Sequence, residues 1–226
     1  MIIIADISGN HGGHLTKAKE LIQEAARCGC DFAKFQYYHP GDMYATSKAE
    51  MDLYRELAVP HAWLGPLFDC ASSHSIRLFA SVFSVDGLME LLPFSPHYFK
   101  FASPLSTWLP HWVYEGMAEA ASEAHIPIIA STDENSRAKV QGLYPDFLFF
   151  CPPAHPYTVT DHDLCLFHQG DYNGFSDHSP SLGAPLAFAG VGAQFIEKHL
   201  KLDDNCVDAA FSATPATMGK LCQILK

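Results

Sequence analysis

Short apolar segments alternate with helical patterns along this chain, and that alternation limits the fold more than any other feature. The expected strands are Ile2–Asp6, Phe32–Gln36, Leu78–Ser81, Tyr98–Phe101, Ile128–Ser131, Phe147–Cys151, Asn173–Ser176 and Gln194–His199. After the first, Ala18, Leu21, Ile22, Ala25 and Ala26 follow helical spacing over about Thr16–Cys28, and Gly29 is a natural stop. A helix over Ala184–Val191 and a last one near Ala216–Leu225 continue the pattern. Strands separated by helices build a parallel sheet, and eight is the number that closes a (β/α)8 TIM barrel. No linker or shift in composition divides the chain, so residues 1–226 read as a single domain of the α/β class.

Hydrophobic residues make up 48% of the 226, ample for a core that folds unaided. A net charge of −11 argues against nucleic acid as a partner, which needs clustered Lys and Arg. It leaves an anionic small molecule open, because a pocket can be locally basic inside an acidic protein. Seven cysteines, without CxxC spacing, are expected to be reduced thiols in a cytoplasmic protein. The apolar start lacks a basic region and is interrupted by Asp6, so it reads as a first strand rather than a signal peptide. No apolar run is long enough to span a bilayer, so no membrane partner is expected.

In such barrels the chemistry sits at the C-terminal ends of the strands. Polar residues gather there: Asp6, Lys34 and Gln36, Ser81, Lys100 and Ser103, Ser131, Ser176 and His178, Glu197 and His199. A buried ammonium without a partner is costly, so Lys34 and Lys100 should face an anion or a carboxylate. One such lysine is most simply a structural ion pair; two on strand ends favour an anion site. Strand alternation gives Ser176 and His178 one face, and Glu197 and His199 another shared face. If both faces point inward, two imidazoles, a carboxylate and a hydroxyl converge at one rim, as a divalent-metal or polar catalytic site would need. Alternation turns Lys198 away from that face, toward an outer helix. Asp133-Glu134-Asn135 reads as the capped start of a helix, and Cys151 as packing. His11, beside Asn10 and Gly12-Gly13, either shapes the first loop or acts as a ligand.

Taken together, the segments 4–13 (IADISGNHGG), Lys34-Phe35-Gln36, Phe99-Lys100-Phe101-Ala102-Ser103, Ser131-Thr132, Ser176-Asp177-His178 and Glu197-Lys198-His199 resemble the sialic acid synthase family. That family includes synthases for pseudaminic and legionaminic acids and for spore-coat polysaccharide. The resemblance runs from residue 2 to about residue 212. It implies a (β/α)8 barrel that condenses phosphoenolpyruvate with an open-chain 2-acetamido sugar, giving a 2-keto-3-deoxy sugar acid and phosphate. It places Lys34, Ser81, Lys100, Ser103, Ser131 and Ser176 around phosphoenolpyruvate. His178 and His199 match the ligands of a divalent cation, usually Mn2+, with Mg2+ or Co2+ as substitutes. Gln36 and Asp208 match positions facing the sugar, and Asp6 stands where the family has a Glu. Glu197 is a candidate for handling the water that attacks C2. The partners implied are phosphoenolpyruvate and a small aldehyde or sugar acceptor, with a homodimer as the family's usual assembly.

The chain departs from the family on the acceptor side. Leu105, after Pro104, replaces a Glu; Pro153 and His155 replace an Asn and a Tyr that line the pocket. His155 either adds a polar group to the site or packs in place of the Tyr. A C-terminal antifreeze-like domain is expected to be absent. These changes leave open an altered, smaller acceptor, a catalytically silent barrel that binds a phosphorylated ligand or regulates a partner synthase, and a metal-assisted lyase or hydrolase on a sugar acid.

Overall fold

The computed structural model describes residues 1–103 and 110–226. Eight parallel strands pair in sequence order and close into a barrel, with the last strand beside the first. They are β1 (Ile2–Asp6), β2 (Phe32–Tyr37), β3 (Arg77–Val82), β4 (Phe99–Phe101), β5 (Ile128–Thr132), β6 (Phe147–Phe150), β7 (Gly174–Asp177) and β8 (Phe195–His199). The expected (β/α)8 architecture is therefore present, with every strand found where its apolar run lies.

Around the barrel run α1 (Leu15–Cys28), α2 (Lys48–Leu57), α3 (Leu64–Ser73), α4 (Val85–Leu91), α5 (His111–Glu123), α6 (Arg137–Gln141), α7 (Asp161–Gln169), α8 (Gly183–Gly190) and α9 (Pro215–Leu225). In α1 the apolar stripe Ala18, Leu21, Ile22 and Ala25 is buried, as its spacing requires. The helix stops at Gly29, whose φ of 86° is left-handed and whose N–H reaches back to the Ala25 and Ala26 carbonyls. Most boundaries fall within a residue or two of expectation, and the helix expected to start at Asp133-Glu134-Asn135 begins later. The Asp133 carboxylate accepts from the Ser136 N–H at 2.8 Å and closes a turn, so the helix begins only at Arg137. No described helix is long and apolar enough to cross a membrane.

Inward side chains stack in layers. The lower layers are apolar: Ile4, Phe32, Phe79, Tyr98, Ile129, Phe149 and Phe195 form one buried cluster inside the barrel. Aromatic edges meet faces within it, as in Phe32 against Phe79 at 5.7 Å. On β7 the corresponding position is Gly174, where a Cβ would stand 2.6 Å from the Phe149 ring and 2.8 Å from the Phe195 Cβ. Only glycine leaves room for both rings. This aromatic plug fills the lower barrel, and the polar residues lie above it.

Candidate active site

Strand register assembles the site. Asp6 pairs across with Lys34 on β2 and with His199 on β8. Gln36 sits beside Ser81, Ser81 beside Lys100, and Ser176 beside Glu197. Asp6, Lys34, Ser81, Lys100 and Glu197 each lie two residues above a plug residue, Gln36 and His199 four, and Ser176 two above Gly174, so alternation points them all into the lumen. They open into a cavity of about 420 Å3. Its lining includes Asp6, Lys34, Gln36, Ser81, Lys100, Ser103, Ser131, His155, Ser176, His178, Glu197, His199 and Asp208. These candidate residues thus line one cavity, whereas His11 and Lys198 are not part of its wall.

At the floor, lysines and carboxylates interlock. Lys34 Nζ lies 2.7 Å from Asp6 Oδ2 and 3.4 Å from Glu197 Oε1, and donates to Ser81 Oγ at 3.0 Å. Lys100 donates to Glu197 Oε1 and, at 3.4 Å, to Ser176 Oγ. Ser176 Oγ in turn donates to the same Glu197 oxygen at 2.9 Å. Burial pushes the Lys34 ammonium toward losing its proton, but Asp6 and Glu197 outweigh it and its pKa is raised. Lys100 goes the other way: burial lowers its pKa and Lys34 repels it, against the pull of Glu197. Burial would raise the Glu197 carboxyl, yet Lys100 and Lys34 hold it down at about 2. The lysines therefore face carboxylates, the partner expected of a structural ion pair.

Two polar atoms in this layer are unsatisfied. Glu197 Oε2 and Ser131 Oγ are buried and have no hydrogen-bond partner. Leaving such atoms unpaired is costly, so both mark where a bound donor would be welcomed.

Above the floor sits a histidine group. The His178 ring centre is 3.9 Å from that of His155 and 5.2 Å from that of His199. Phe211 packs against all three rings at 4.9 to 5.6 Å. His199 is held from both sides, with Nδ1 3.0 Å from Asp208 Oδ2 and Nε2 3.4 Å from Asp6 Oδ2. Burial lowers the pKa of His199, but Asp6 and Asp208 more than offset it and the net shift is upward. His178 has no carboxylate beside it. Burial, then His199 and His155, drive it well below its ordinary value, which favours the neutral imidazole. His155 is likewise lowered, by burial first and His199 second.

Among the described residues, no three His, Cys, Asp or Glu groups are gathered as a complete metal-holding set. The donor chemistry nevertheless suits a cation that keeps open positions. His178 offers a neutral imidazole, and His199 is backed by Asp208 in the carboxylate–histidine arrangement usual behind metal ligands. His178 and His199 fit a cation whose other ligands are water or substrate oxygens.

Several residues change their reading. Lys198 does turn away from the lumen, but its ion-pair partner is on the neighbouring strand rather than an outer helix. Its Nζ donates to Asp177 Oδ2 on β7 at 2.6 Å and to the Ser179 carbonyl at 2.8 Å, fully buried. Cys151 is more than packing, since it lines the cavity with Sγ 3.8 Å from His178 Nδ1. Burial pushes its thiol up to about 11, so it is a poor nucleophile. His11 shapes the first loop, its Nδ1 accepting from the Gly13 N–H at 3.1 Å, and is not part of the cavity wall. Ser8, at a left-handed φ of 41°, joins the site and accepts from Gln36 Nε2 at 3.1 Å. Continued alternation from Asp6 would have found it. Met43, Tyr54, Phe83 and Val207 form an apolar upper wall that carries no local sequence signal. Pro104 and Leu105 lie outside the described residues.

Known proteins share this arrangement of chain. The pseudaminic acid synthase of Campylobacter jejuni is 29% identical over 91% of this chain and 66% of its own length. Human N-acetylneuraminate-9-phosphate synthase is 25% identical over 99% of this chain and 68% of its own. The chain thus spans about two thirds of these curated relatives. Among solved structures, an N-acetylneuraminic acid synthetase from Leptospira borgpetersenii, in complex with citrate, superposes with a TM-score of 0.86. It is 26% identical and covers 98% of this chain and 81% of its own. The NeuB family model matches residues 21–143 and 162–226. The matched stretches carry both floor lysines, both rim histidines, Glu197 and Asp208, while Pro153 and His155 fall in the gap between them. With that match spanning most of the barrel, the chain belongs to the NeuB family.

Proposed function

We propose that this barrel condenses phosphoenolpyruvate with a small aldehyde, giving a 2-keto-3-deoxy acid and inorganic phosphate. One observation carries the proposal: a floor of two buried lysines ringed by serine hydroxyls lies directly beneath a histidine–carboxylate rim, in a single cavity. Phosphoenolpyruvate brings up to three negative charges, and ammonium and hydroxyl donors suit them. Lys34, Lys100, Ser81, Ser103, Ser131 and Ser176 would bind its phosphate and carboxylate. Gln36 and Asp208, nearer the rim, would face the aldehyde.

His178 and His199 would hold a divalent cation, with Mn2+ the first choice and Mg2+ or Co2+ alternatives. When bound there, such a cation supplies Lewis acidity to a carbonyl oxygen. Carbon 3 of phosphoenolpyruvate then forms the new bond to the aldehyde carbon, whose oxygen ends as a hydroxyl. Water adds at C2 and the C–O bond to phosphate breaks. The free Glu197 Oε2 is placed to accept a hydrogen bond from that water. Held at about 2, Glu197 is a weak base, so its role is to orient the water rather than to keep its proton.

The apolar upper wall of Met43, Tyr54, Phe83 and Val207, with His155 beside His178, favours an acceptor other than the usual 2-acetamido sugar. A second reading has support in the pairing of both lysines with Asp6 and Glu197, which already neutralises the floor. It makes the barrel a binder of a phosphorylated ligand without turnover. A cytoplasmic setting, where seven free thiols persist, goes with either reading.

Titration with phosphoenolpyruvate, with and without Mn2+, followed by phosphate release across a panel of aldehydes, tests the proposal. Release that requires both cation and aldehyde is the expected result. Binding without release would leave the second reading, and absence of binding would sink both.

A further inference from the structure

We propose that Asn10, buried and outside the cavity wall, is the positioning residue that aims His199 into the site. Its cation-holding meaning rests on the proposed function; its structural claim does not.

All the hydrogen bonds of the Asn10 side chain go to one distant segment. Nδ2 donates to the Leu200 carbonyl at 2.9 Å and to Ser212 Oγ at 3.0 Å, and Oδ1 accepts from the Asp208 N–H at 3.1 Å. The amide cannot be turned over, because a backbone N–H needs the oxygen and a backbone carbonyl needs the NH2. Asn10 is wholly inaccessible to solvent, so these bonds are made at full strength and their loss would strand buried groups.

The segment so held is the loop that leaves β8 just after His199. Its neck is closed by the Leu200–Ala213 bridge, with the Ala213 N–H donating to the His199 carbonyl at 2.8 Å. Between those points the loop projects Asp208 and Phe211 onto the histidine group. Asn10 pins the start of this loop at Leu200 and its functional middle at Asp208. Ser212 Oγ, which accepts from Asn10, donates to the Asp208 carbonyl at 2.7 Å. The peptide groups on both sides of Asp208 are thus fixed by one network centred on Asn10.

Asp208 is what holds the His199 ring, through Nδ1 at 3.0 Å. That contact turns Nε2 to the opposite side, toward Asp6 and the cavity. Without Asn10 the Asp208 peptide loses its anchor, and the ring loses the contact that chooses which nitrogen faces inward. Carboxylates in this outer position around histidine ligands are worth about 10- to 100-fold in metal affinity. Asn10 acts one bond further out, through the backbone that carries the carboxylate.

The test uses the full chain and two variants, Asn10→Ala and Ser212→Ala. Three quantities are read: the hydrogen-bonded His199 Nδ1–H resonance by proton NMR with 15N-labelled histidine, the affinity for Mn2+ alone by EPR titration, and cooperative unfolding by circular dichroism. Asn10→Ala is expected to keep a cooperative transition, lose the protected Nδ1–H signal to exchange and bind Mn2+ about tenfold more weakly. Ser212→Ala, a milder change at a half-buried position, is expected to shift both readouts in the same direction by a smaller factor. If Asn10→Ala does not fold, the decision falls to Ser212→Ala. An unchanged Nδ1–H signal in the variant that folds overturns the proposal. If the wild-type chain binds no Mn2+ while the Nδ1–H signal still responds to the variants, the proposed function fails and the positioning role stands.

Discussion

Lys198 and Asp177 form an ion pair on the outer face of the barrel, Nζ to Oδ2 2.6 Å, with neither side chain more than 1% exposed. Each is followed in sequence by a rim histidine, His178 just past the end of β7 and His199 at the end of β8, so the pair braces the two strands next to both rings. Lys198 also donates to the Phe211 carbonyl at 3.3 Å and so ties down the ring that packs on both histidines.

Removing one partner leaves a buried charge alone. Lys198→Met is expected to destabilise the fold by about 3–5 kcal/mol, read from urea unfolding. The double variant Asp177→Asn/Lys198→Met should cost less than the two single changes added together, because neither then strands an ion. Additive costs would show that the pair is not coupled.

The floor and the rim should separate in binding. Lys100→Met removes a donor from the anion cradle and is expected to weaken phosphoenolpyruvate binding at least about a hundredfold, near 2.7 kcal/mol. His199→Ala should abolish Mn2+ binding and retain much of the anion affinity. Calorimetric titration of each variant with each ligand gives the comparison, and equal losses of both ligands in both variants would mean the roles are misassigned.

Glu197→Gln removes the carboxylate that competes for both lysines. Binding of phosphoenolpyruvate should hold or tighten, since Lys34 and Lys100 are freed toward the ligand. Turnover should fall about a hundredfold or more with the loss of the water-orienting anion. A parallel loss of binding and turnover would assign Glu197 a purely structural role.

His11, which is not part of the cavity wall, gives stability a pH dependence. Burial first, then His14 and Lys17, holds its pKa at about 4, against 6.5 in the unfolded chain. As pH falls through that window the unfolded chain takes up a proton that the folded one refuses. Stability is therefore lost on acidification, by up to about 1.4 kcal/mol per pH unit, and is regained as pH rises above 6.5. Asn at this position can still accept from the Gly13 N–H. His11→Asn should flatten the stability–pH slope by close to one proton between pH 4.5 and 6, measured by denaturant midpoints across that range.

Much of this was legible because a parallel barrel writes itself in two short periods. Apolar runs mark each strand, and the two-residue alternation carries Asp6, Lys34, Lys100, Glu197 and His199 to the same side as the plug residues beneath them. The register that sets Ser176 beside Glu197 and Asp177 beside Lys198 is seen only once β7 pairs with β8, so the sequence did not name the partner of Lys198. What stayed hidden depends on long-range contact. Asn10 acts across nearly the whole chain, and nothing near it in sequence announces Leu200, Asp208 or Ser212. The apolar wall of Met43, Tyr54 and Val207 joins two loop residues to one from α2, and their meeting is set by tertiary packing, so no local period predicts it.

The aromatic plug makes the barrel a blind tube, and a blind tube imposes an order on traffic. Among the described residues, Phe79, Phe149 and their neighbours shut the lower end, leaving the upper end, where Tyr54, Val207 and Asp208 line the cavity, for what enters or leaves. The ligand seated on Lys34 and Lys100 must pass that end before the aldehyde arrives above it. A bound acceptor would cork the deeper ligand in place. On the proposed chemistry, steady-state kinetics should therefore be sequential and compulsory, with the acceptor always second and acting as an uncompetitive partner when it cannot react.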